Sequence, residues 1–359
     1  SRMRYTTLGA SGLRVSRLGF GCMRLPMNAD NTAIDRDAAI PLLHRALELG
    51  VTYFDTAVGY CKGDSQRVLG EAFAGVPRDR LVLSTKNPAH AATDAEWWGR
   101  LEESLRLLRT PYLDVYSLHA LTWETFTTQI EKTGKLRLMR QARDQGLIRH
   151  IACSFHDTPE ALDRLAETGA FEIMTVQYNL LYRELEPAMR RCAERGIGLV
   201  VMGPVGGGRL GVESARIRTL LRNAARSTPE AALRFVLANP SVRVALSGMT
   251  TLAQVEENCR IVAEEEPFTP VHIASLEEEI ARVRAHTAVR CPGCGYCLPC
   301  PNGLDIPEIM RLAIMARWKL TPLAELRAEY ARLKAKASAC QECHTCLERC
   351  AFGVDIMER

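Results

Sequence analysis

The sequence predicts an α/β protein in which a closed (β/α)8 barrel, the TIM-barrel arrangement, precedes a small C-terminal domain. Two patterns in the first 270 residues predict the barrel: short apolar segments rich in β-branched residues, and amphipathic segments with helical periodicity between them. This alternation indicates a parallel sheet covered by helices. Eight of the thirteen cysteines follow residue 290, which indicates a separate C-terminal domain.

Eight segments have the composition of buried strands. They are RLGFGCM, VTYFDTA, RLVLSTK, LDVYSLH, IRHIACSF, FEIMTVQYN, IGLVVMGPV and VRVALSGM, which start at residues 17, 51, 80, 113, 148, 171, 197 and 242. Eight strand-helix units in about 250 residues fit a closed barrel. A doubly wound open sheet is the structural alternative.

The segments between the strands have the end signals of helices. Several begin at Asp or at Thr-Pro and end at Gly, as in DAAIPLLHRALELG and TPEALDRLAETG, and LEPAMRRCAERG also ends at Gly. Before the first strand, MRYTTLGASGLRVS carries turn residues at its centre, which predicts a hairpin across the barrel floor. We therefore expect a barrel domain over 1–270 and a connecting helix with a second domain over 271–359.

Composition excludes several function classes. The chain has 46 basic and 42 acidic residues and a net charge of +4, a balance that favours neither nucleic acid nor an anionic membrane as partner. No apolar run approaches the length of a membrane helix, and no signal segment opens the sequence. We expect a cytoplasmic protein whose partners must be inferred from its sites.

Polar residues at the strand ends form the candidate catalytic group. Asp55 follows the second strand, Lys86 ends the third, His119 ends the fourth, and Tyr60 lies in the loop after Asp55. Barrel enzymes carry their chemistry at this edge. Each residue alone also suits a structural role, but together they supply a proton donor, a cation, an anion for that cation, and a second hydrogen-bond donor.

This group fits hydride transfer to a carbonyl. The Lys86 ammonium is expected to lower the pKa of Tyr60, so that the phenol protonates the nascent alkoxide. Asp55 would keep Lys86 charged, and His119 would orient the substrate carbonyl.

The chain resembles the aldo-keto reductases over residues 4 to about 262. The stretches that carry the resemblance are LGASGLRVSRLGFGCMRL, FDTAVGY, LVLSTKNP, LDVYSLH, IRHIACSFH, TVQYN and GMTTLAQVEEN. The resemblance implies that Asp55, Tyr60, Lys86 and His119 are the catalytic tetrad. It also implies a small carbonyl or alcohol substrate and a nicotinamide cofactor, NAD(H) or NADP(H).

The resemblance places the cofactor contacts at thirteen positions. Ser154 and Gln177 would bind the carboxamide, the segment GPVGGGRL would follow the pyrophosphate, and Glu257 with Asn258 would contact the adenine. The full set is Gly21, Cys22, Ser154, Gln177, Met202, Gly206, Gly208, Arg209, Gly248, Thr250, Gln254, Glu257 and Asn258.

The sequence departs from the family pattern in two places. Met202 stands where many members stack an aromatic ring on the nicotinamide. The stretch Gly248-Met249-Thr250, with Gln254, stands where members that use NADP carry basic residues for the 2'-phosphate. Because arginine or lysine is the expected phosphate ligand, this departure favours NAD.

Two cysteine runs near the C-terminus indicate iron-sulfur clusters. CPGCGYCLPCP begins at Cys291 and CQECHTCLERC begins at Cys340. In ferredoxin-type pairs, three cysteines of one run bind one cluster and the fourth binds the other. We therefore expect two 4Fe-4S clusters. One would be held by Cys291, Cys294, Cys297 and Cys350, and the other by Cys340, Cys343, Cys346 and Cys300.

Other assignments remain open at this level. Two zinc sites with four thiolates each are the alternative metal centres, and Ala351 stands where ferredoxins usually have proline, so the pairing could differ. The segment between the runs is rich in helical patterns, and YCLPCPNGLDIP resembles the hallmark of aldo-keto reductases with a ferredoxin-like tail. The other five cysteines, at 22, 61, 153, 192 and 259, are expected to be reduced thiols.

Two functions follow from these patterns. The first is a carbonyl-alcohol oxidoreductase fused to a cluster domain that either stabilises the fold or exchanges electrons with a one-electron carrier such as ferredoxin. The second is a barrel that binds nicotinamide as a sensor or electron-transfer scaffold with little activity of its own.

Overall fold

The computed structural model describes residues 2–88, 90–206, 225–264, 268–269, 271–274, 291, 293, 295–317, 321–350 and 354–357. The chain divides into two compact units. The first comprises Ser1–Tyr178, Glu184–Pro204 and Val236–Glu266, and the second comprises Asn179–Arg183, Val205–Phe235 and Pro267–Arg359. The expected division at residue 270 remains a prediction, and most of the expected connecting helix lies outside the described residues.

The first unit contains a closed barrel of eight parallel strands, as the sequence predicts. The barrel order is β10-β3-β4-β5-β6-β7-β8-β9. The strands are β3 (Leu18–Gly21), β4 (Tyr53–Asp55), β5 (Val82–Asn87), β6 (Leu113–Leu121), β7 (Ile148–Phe155), β8 (Ile173–Gln177), β9 (Gly198–Met202) and β10 (Val242–Ser247).

Helices follow the strands around the barrel. The long ones within the first unit are Arg36–Glu48, Ser65–Ala72, Asp94–Leu107, Lys135–Asp144, Pro159–Glu167, Glu186–Glu194 and Leu252–Glu264, whereas most of the helix Thr228–Ala238 belongs to the second unit. A three-residue helix, Trp123–Thr125, runs into a π-helix at Phe126–Glu131.

Side chains cap several helix starts, at Thr158 as the sequence predicts and at Asp35, two residues before the start of the predicted segment. The Asp35 side chain accepts a hydrogen bond from the Ala38 amide. The Thr158 side chain accepts one from the Ala161 amide. Thr93 and Glu96 form a reciprocal capping box.

An N-terminal hairpin closes the barrel floor. Strands β1 (Tyr5–Thr7) and β2 (Arg14–Ser16) pair antiparallel, and Leu8 and Val15 join the barrel strands in one buried hydrophobic cluster. Gly9 has a φ of +59°, and a Cβ there would lie 2.4 Å from the Gly196 carbonyl oxygen. Only glycine therefore fits this contact without strain.

The second unit contains the helices Ile306–Arg317, Leu323–Arg332 and Thr345–Glu348. Arg311 links the first two, because its guanidinium pairs with Glu308 at 2.7 Å and with Glu329. Among the described residues, no helix is both long and apolar enough to cross a membrane.

The floor hairpin makes a stability prediction. Leu8→Ala should lower the free energy of unfolding by about 2–5 kcal/mol, because Leu8 is fully buried in the cluster and its loss leaves a cavity. Leu252→Ala is the matched control, since Leu252 is 48% exposed and should change stability by no more than about 0.5 kcal/mol. Urea unfolding followed by tryptophan fluorescence measures both, and equal losses would contradict the proposed packing.

Candidate active site

A buried ion pair joins two adjacent strand ends. Lys86 Nζ on β5 lies 2.6 Å from Asp55 Oδ2 on β4 and also donates to the Thr56 carbonyl oxygen at 2.7 Å. The other Asp55 oxygen accepts from Ser84 Oγ at 2.9 Å. Lys86 and Asp55 are only 2% and 3% exposed. These contacts must therefore offset the hydration that each charge loses on burial.

Tyr60 lies over the buried cation. Lys86 Nζ is 4.7 Å from the centroid of the Tyr60 ring, which places the ammonium on the ring face. Tyr60 begins the 3₁₀ segment Tyr60–Gly63, in which Cys61 and Lys62 both have positive φ. The structure thus turns the chain tightly just after Tyr60.

His119 completes the group at the same end of the barrel. Its ring packs edge-on against Tyr60, with centroids 6.0 Å apart and an interplanar angle of 79°. The structure therefore brings together all four residues of the expected tetrad, Asp55, Tyr60, Lys86 and His119.

His119 lies in an irregular stretch of β6. The register between β6 and β7 shifts between Leu118 and Leu121, and Ala120 has a φ of +53°. The Ala120 amide donates to Ser154 Oγ at 2.8 Å.

The pKa of Tyr60 is shifted upward, not downward as expected. Burial, followed by the nearby Asp55 carboxylate, raises the pKa of Tyr60 well above its ordinary value. The net shift is therefore opposite to the expected lowering, because burial and the Asp55 charge dominate. Tyr60 is a neutral phenol across the physiological pH range and retains its proton.

Three histidines around the cation are held neutral. Burial and then the Lys86 charge lower the pKa of His119 well below its ordinary range and the pKa of His156 to about 3. Burial also lowers the pKa of His90. Sequence reasoning missed His156 and His90, although His156 directly follows β7 and His90 lies three residues past the end of β5, where the same strand-end rule could have found them.

The second unit has a cavity lined by cysteines from both runs. Its volume is about 330 Å³, and its lining includes Cys300 from the first run and Cys340, Cys343 and Cys346 from the second. These are the four cysteines that the ferredoxin pattern groups into one ligand set. Cys291, Cys297 and Cys350 of the other set are described, but Cys294 lies outside the described residues.

Backbone amides point at the sulfur atoms of the second run. Glu342 N donates to Cys340 Sγ at 3.4 Å, and Val354 N donates to Cys350 Sγ at 3.4 Å. Arg349 connects the two runs, because its Nη1 donates to the Pro299 carbonyl oxygen at 3.1 Å. Amide hydrogen bonds to sulfur are one means by which proteins tune iron-sulfur clusters.

Family models match both the barrel sequence and the cysteine-rich C-terminal sequence. A model of the aldo/keto reductase family matches residues 17–281. The chain belongs to the aldo/keto reductase family. A second model, a 4Fe-4S dicluster domain, matches residues 290–355. The C-terminal domain is therefore an iron-sulfur domain.

Individual relatives agree with this assignment. The oxidoreductase YqkF of Bacillus subtilis is 27% identical over 318 residues, which cover 79% of this chain and 97% of YqkF. The holo form of aldo-keto reductase AKR11C1 from Bacillus halodurans is 28% identical with a TM-score of 0.65, over 77% of this chain and 96% of that one. An aldo/keto reductase from Klebsiella pneumoniae, solved with NADP and acetate, is 25% identical with a TM-score of 0.62, over 76% and 94% of the two chains.

The two positions expected to bind the carboxamide, Ser154 and Gln177, lie at the ends of the neighbouring strands β7 and β8. Gln177 is 5% exposed at the end of β8, and its Nε2 is buried without a partner among the described residues. Since Ser154 Oγ accepts from Ala120, the hydroxyl proton of Ser154 can donate to a ligand. Two donors at neighbouring strand ends suit a carboxamide oxygen.

Several other expected cofactor positions lie around the end of β10. Gly248 follows β10, and a Cβ on the neighbouring Gly21 would lie 3.6 Å from the Ser247 backbone. Thr250 donates from its amide and its hydroxyl to Gln254 Oε1, at 2.7 and 3.1 Å. Asn258 is buried and donates to Ser247 Oγ at 3.0 Å, so it has a structural partner in addition to any role at the cofactor.

The remaining expected cofactor positions differ in solvent exposure. Glu257 is partly exposed on the helix Leu252–Glu264, Met202 is partly exposed at the end of β9, and Cys22 is fully buried after β3. Gly206 is buried with a φ of +62°. Gly208 and Arg209 lie outside the described residues.

The depressed pKa of His156 makes a prediction for acid stability. Below about pH 6.5 the unfolded chain binds a proton at this residue and the folded chain does not, so stability falls as the pH falls. Because the folded pKa is about 3, the parent should lose about 2 kcal/mol through His156 between pH 7 and pH 5.

His156→Gln should remove this contribution, so the variant should lose about 2 kcal/mol less than the parent over the same interval. Urea unfolding at pH 7 and pH 5 measures the difference. If parent and variant show the same pH dependence, His156 is not held neutral in the folded protein.

Proposed function

We propose that this protein is an oxidoreductase that interconverts a carbonyl and an alcohol by hydride transfer with NAD(H) or NADP(H). The observation that carries the proposal is the convergence of Tyr60, the buried Lys86-Asp55 pair and His119 at one end of the barrel. This set supplies an acid, a cation beside that acid, and a neutral imidazole for the substrate oxygen.

Tyr60 acts as the general acid and base. When bound, the nicotinamide ring supplies the hydride to the carbonyl carbon, and Tyr60 gives its hydroxyl proton to the carbonyl oxygen. Because burial keeps the phenol protonated, the donor is present before reaction begins. The Lys86 ammonium then stabilises the phenolate that forms, and Asp55 holds the ammonium in place.

His119 orients the substrate carbonyl. Because it is neutral, it has one N–H donor and adds no second positive charge beside Lys86. A neutral donor polarises the carbonyl oxygen without competing with Tyr60 for its proton.

The cofactor preference that we propose is NAD. The stretch from Gly248 to Gln254 contains no lysine or arginine. The side-chain oxygen of Gln254, Oε1, already accepts a hydrogen bond from the Thr250 amide. The Klebsiella relative was solved with NADP, so this preference would be a difference within the family.

We also propose that the iron-sulfur domain holds two 4Fe-4S clusters with the ligand sets given by the ferredoxin pattern. The cavity lined by Cys300, Cys340, Cys343 and Cys346 supports the second set. Cys340 and Cys343 are exposed, which supports exchange of electrons with a one-electron carrier such as ferredoxin. A purely structural role for the clusters is the competing function of this domain.

The acid role makes a direct prediction. Tyr60→Phe should lower kcat for a model aldehyde by about 10²–10⁴-fold, because no other group replaces the proton donor. Tyr5→Phe is the matched control, since the Tyr5 hydroxyl donates to the Gly50 carbonyl oxygen in the floor hairpin and should leave kcat unchanged. Aldehyde reduction at the parent rate by Tyr60→Phe would contradict the mechanism and favour a sensor or scaffold function.

The cluster assignment makes a second prediction. Cys343→Ala removes one ligand of one cluster, so the iron and acid-labile sulfide of anaerobically purified protein should fall to about half of the parent content. Cys192→Ala, a buried cysteine of the barrel unit, should retain the parent content. Unchanged iron in Cys343→Ala would contradict this ligand set.

A further inference from the structure

We propose that His90 is a positioning residue that holds His119 at the active site through a hydrogen bond to the His119 backbone. His90 Nε2 lies 2.5 Å from the carbonyl oxygen of His119. The role of this bond in catalysis rests on the proposed reductase function.

The His119 carbonyl lies beyond the ladder of the neighbouring strand. The last pair between β5 and β6 is Asn87 with Leu118, because β5 ends at Asn87 while β6 continues to Leu121. His90 lies three residues past the end of β5, where its side chain provides a donor for this carbonyl.

One peptide unit is held at both of its polar atoms. The unit between His119 and Ala120 has its carbonyl oxygen bonded to His90 and its amide bonded to Ser154 at 2.8 Å. Rotation of this unit would change the ψ of His119 and the φ of Ala120, which is +53°. A non-glycine residue in this region is strained and persists when surrounding contacts fix it.

The hydrogen bond sets the tautomer of His90. A carbonyl oxygen can only accept, so Nε2 carries the proton and Nδ1 of the neutral ring does not. Burial lowers the pKa of His90 and so keeps this neutral form at physiological pH. Nδ1 is buried without a partner among the described residues, so the contact to His119 is the polar bond that fixes the ring.

Loss of this bond should release the His119 side chain from its position beside Tyr60. The two rings are now 6.0 Å apart at 79°. Since His119 orients the substrate carbonyl, a shifted imidazole should raise KM for the carbonyl and lower kcat. Binding of the nucleotide should change much less than kcat/KM, because the bond from His90 goes to the His119 carbonyl oxygen and reaches Ser154 only through the Ala120 amide.

The test compares two substitutions at His90 with a matched histidine elsewhere. His90→Leu removes the donor, whereas His90→Gln keeps a side-chain N–H of similar reach. His44→Leu is the control, because His44 Nε2 also bonds a backbone carbonyl, that of Ala72 at 2.6 Å, away from the tetrad. Steady-state kinetics with an aldehyde, nucleotide binding by fluorescence, and the Tm are measured for each variant.

We expect kcat/KM to fall by about 10- to 100-fold in His90→Leu. His90→Gln should recover most of that loss, and His44→Leu should match the parent in kcat/KM even if its Tm falls. The nucleotide dissociation constant should change far less than kcat/KM in every variant. Parent-like kcat/KM in His90→Leu, or a His90→Gln variant as impaired as His90→Leu, would overturn the proposal.

Crystal structures of the two His90 variants separate this proposal from the proposed function. The positive φ of Ala120 should persist in His90→Gln and relax in His90→Leu. If the parent reduces no aldehyde, the reductase proposal fails. The φ of Ala120 in the His90→Leu structure still shows whether His90 fixes the His119-Ala120 peptide. An unchanged peptide in His90→Leu would refute the positioning role whatever the activity.

Discussion

The site depends on one buried cation. Lys86 is almost completely removed from solvent, and its ammonium is bound by Asp55 and by the carbonyl oxygen of Thr56. An unpaired charge at this depth would cost several kcal/mol, so β4 and β5 must keep the register that sets Asp55 opposite Ser84. The strand register of the barrel therefore allows the Lys86 charge to be buried, because it keeps Asp55 within hydrogen-bond distance of the ammonium.

The cation in turn sets the state of its neighbours. It adds to burial in lowering the pKa of His119 and of His156, so the surrounding imidazoles are neutral. Tyr60, under the combined effect of burial and Asp55, retains its proton. The result is a Lys86-Asp55 ion pair beside a neutral acid and neutral imidazoles. This distribution suits a reaction in which negative charge develops on a substrate oxygen.

Sequence reasoning located this group because parallel strands end at the same edge of a barrel. That rule was sufficient for Asp55, Lys86 and His119, and the loop after β4 brought Tyr60 to them. The sign of the Tyr60 pKa shift could not be predicted, since it depends on how deeply the phenol is buried and on its distance from Asp55. The His119-Ala120 bulge was equally invisible, because it arises from tertiary contacts with His90 and Ser154 rather than from local propensity. For the cysteines, spacing alone grouped Cys300 with the second run, and in the folded domain these four cysteines line one cavity.

Deuteride transfer tests the central claim most directly. The anaerobically purified protein is incubated with an aldehyde and a nicotinamide nucleotide carrying deuterium at the transferring C4 position, and the alcohol is analysed by mass spectrometry. The account predicts one deuterium on the former carbonyl carbon in the parent protein and almost no alcohol in Tyr60→Phe. Nucleotide binding without any deuterated alcohol across a range of aldehydes and ketones would contradict it.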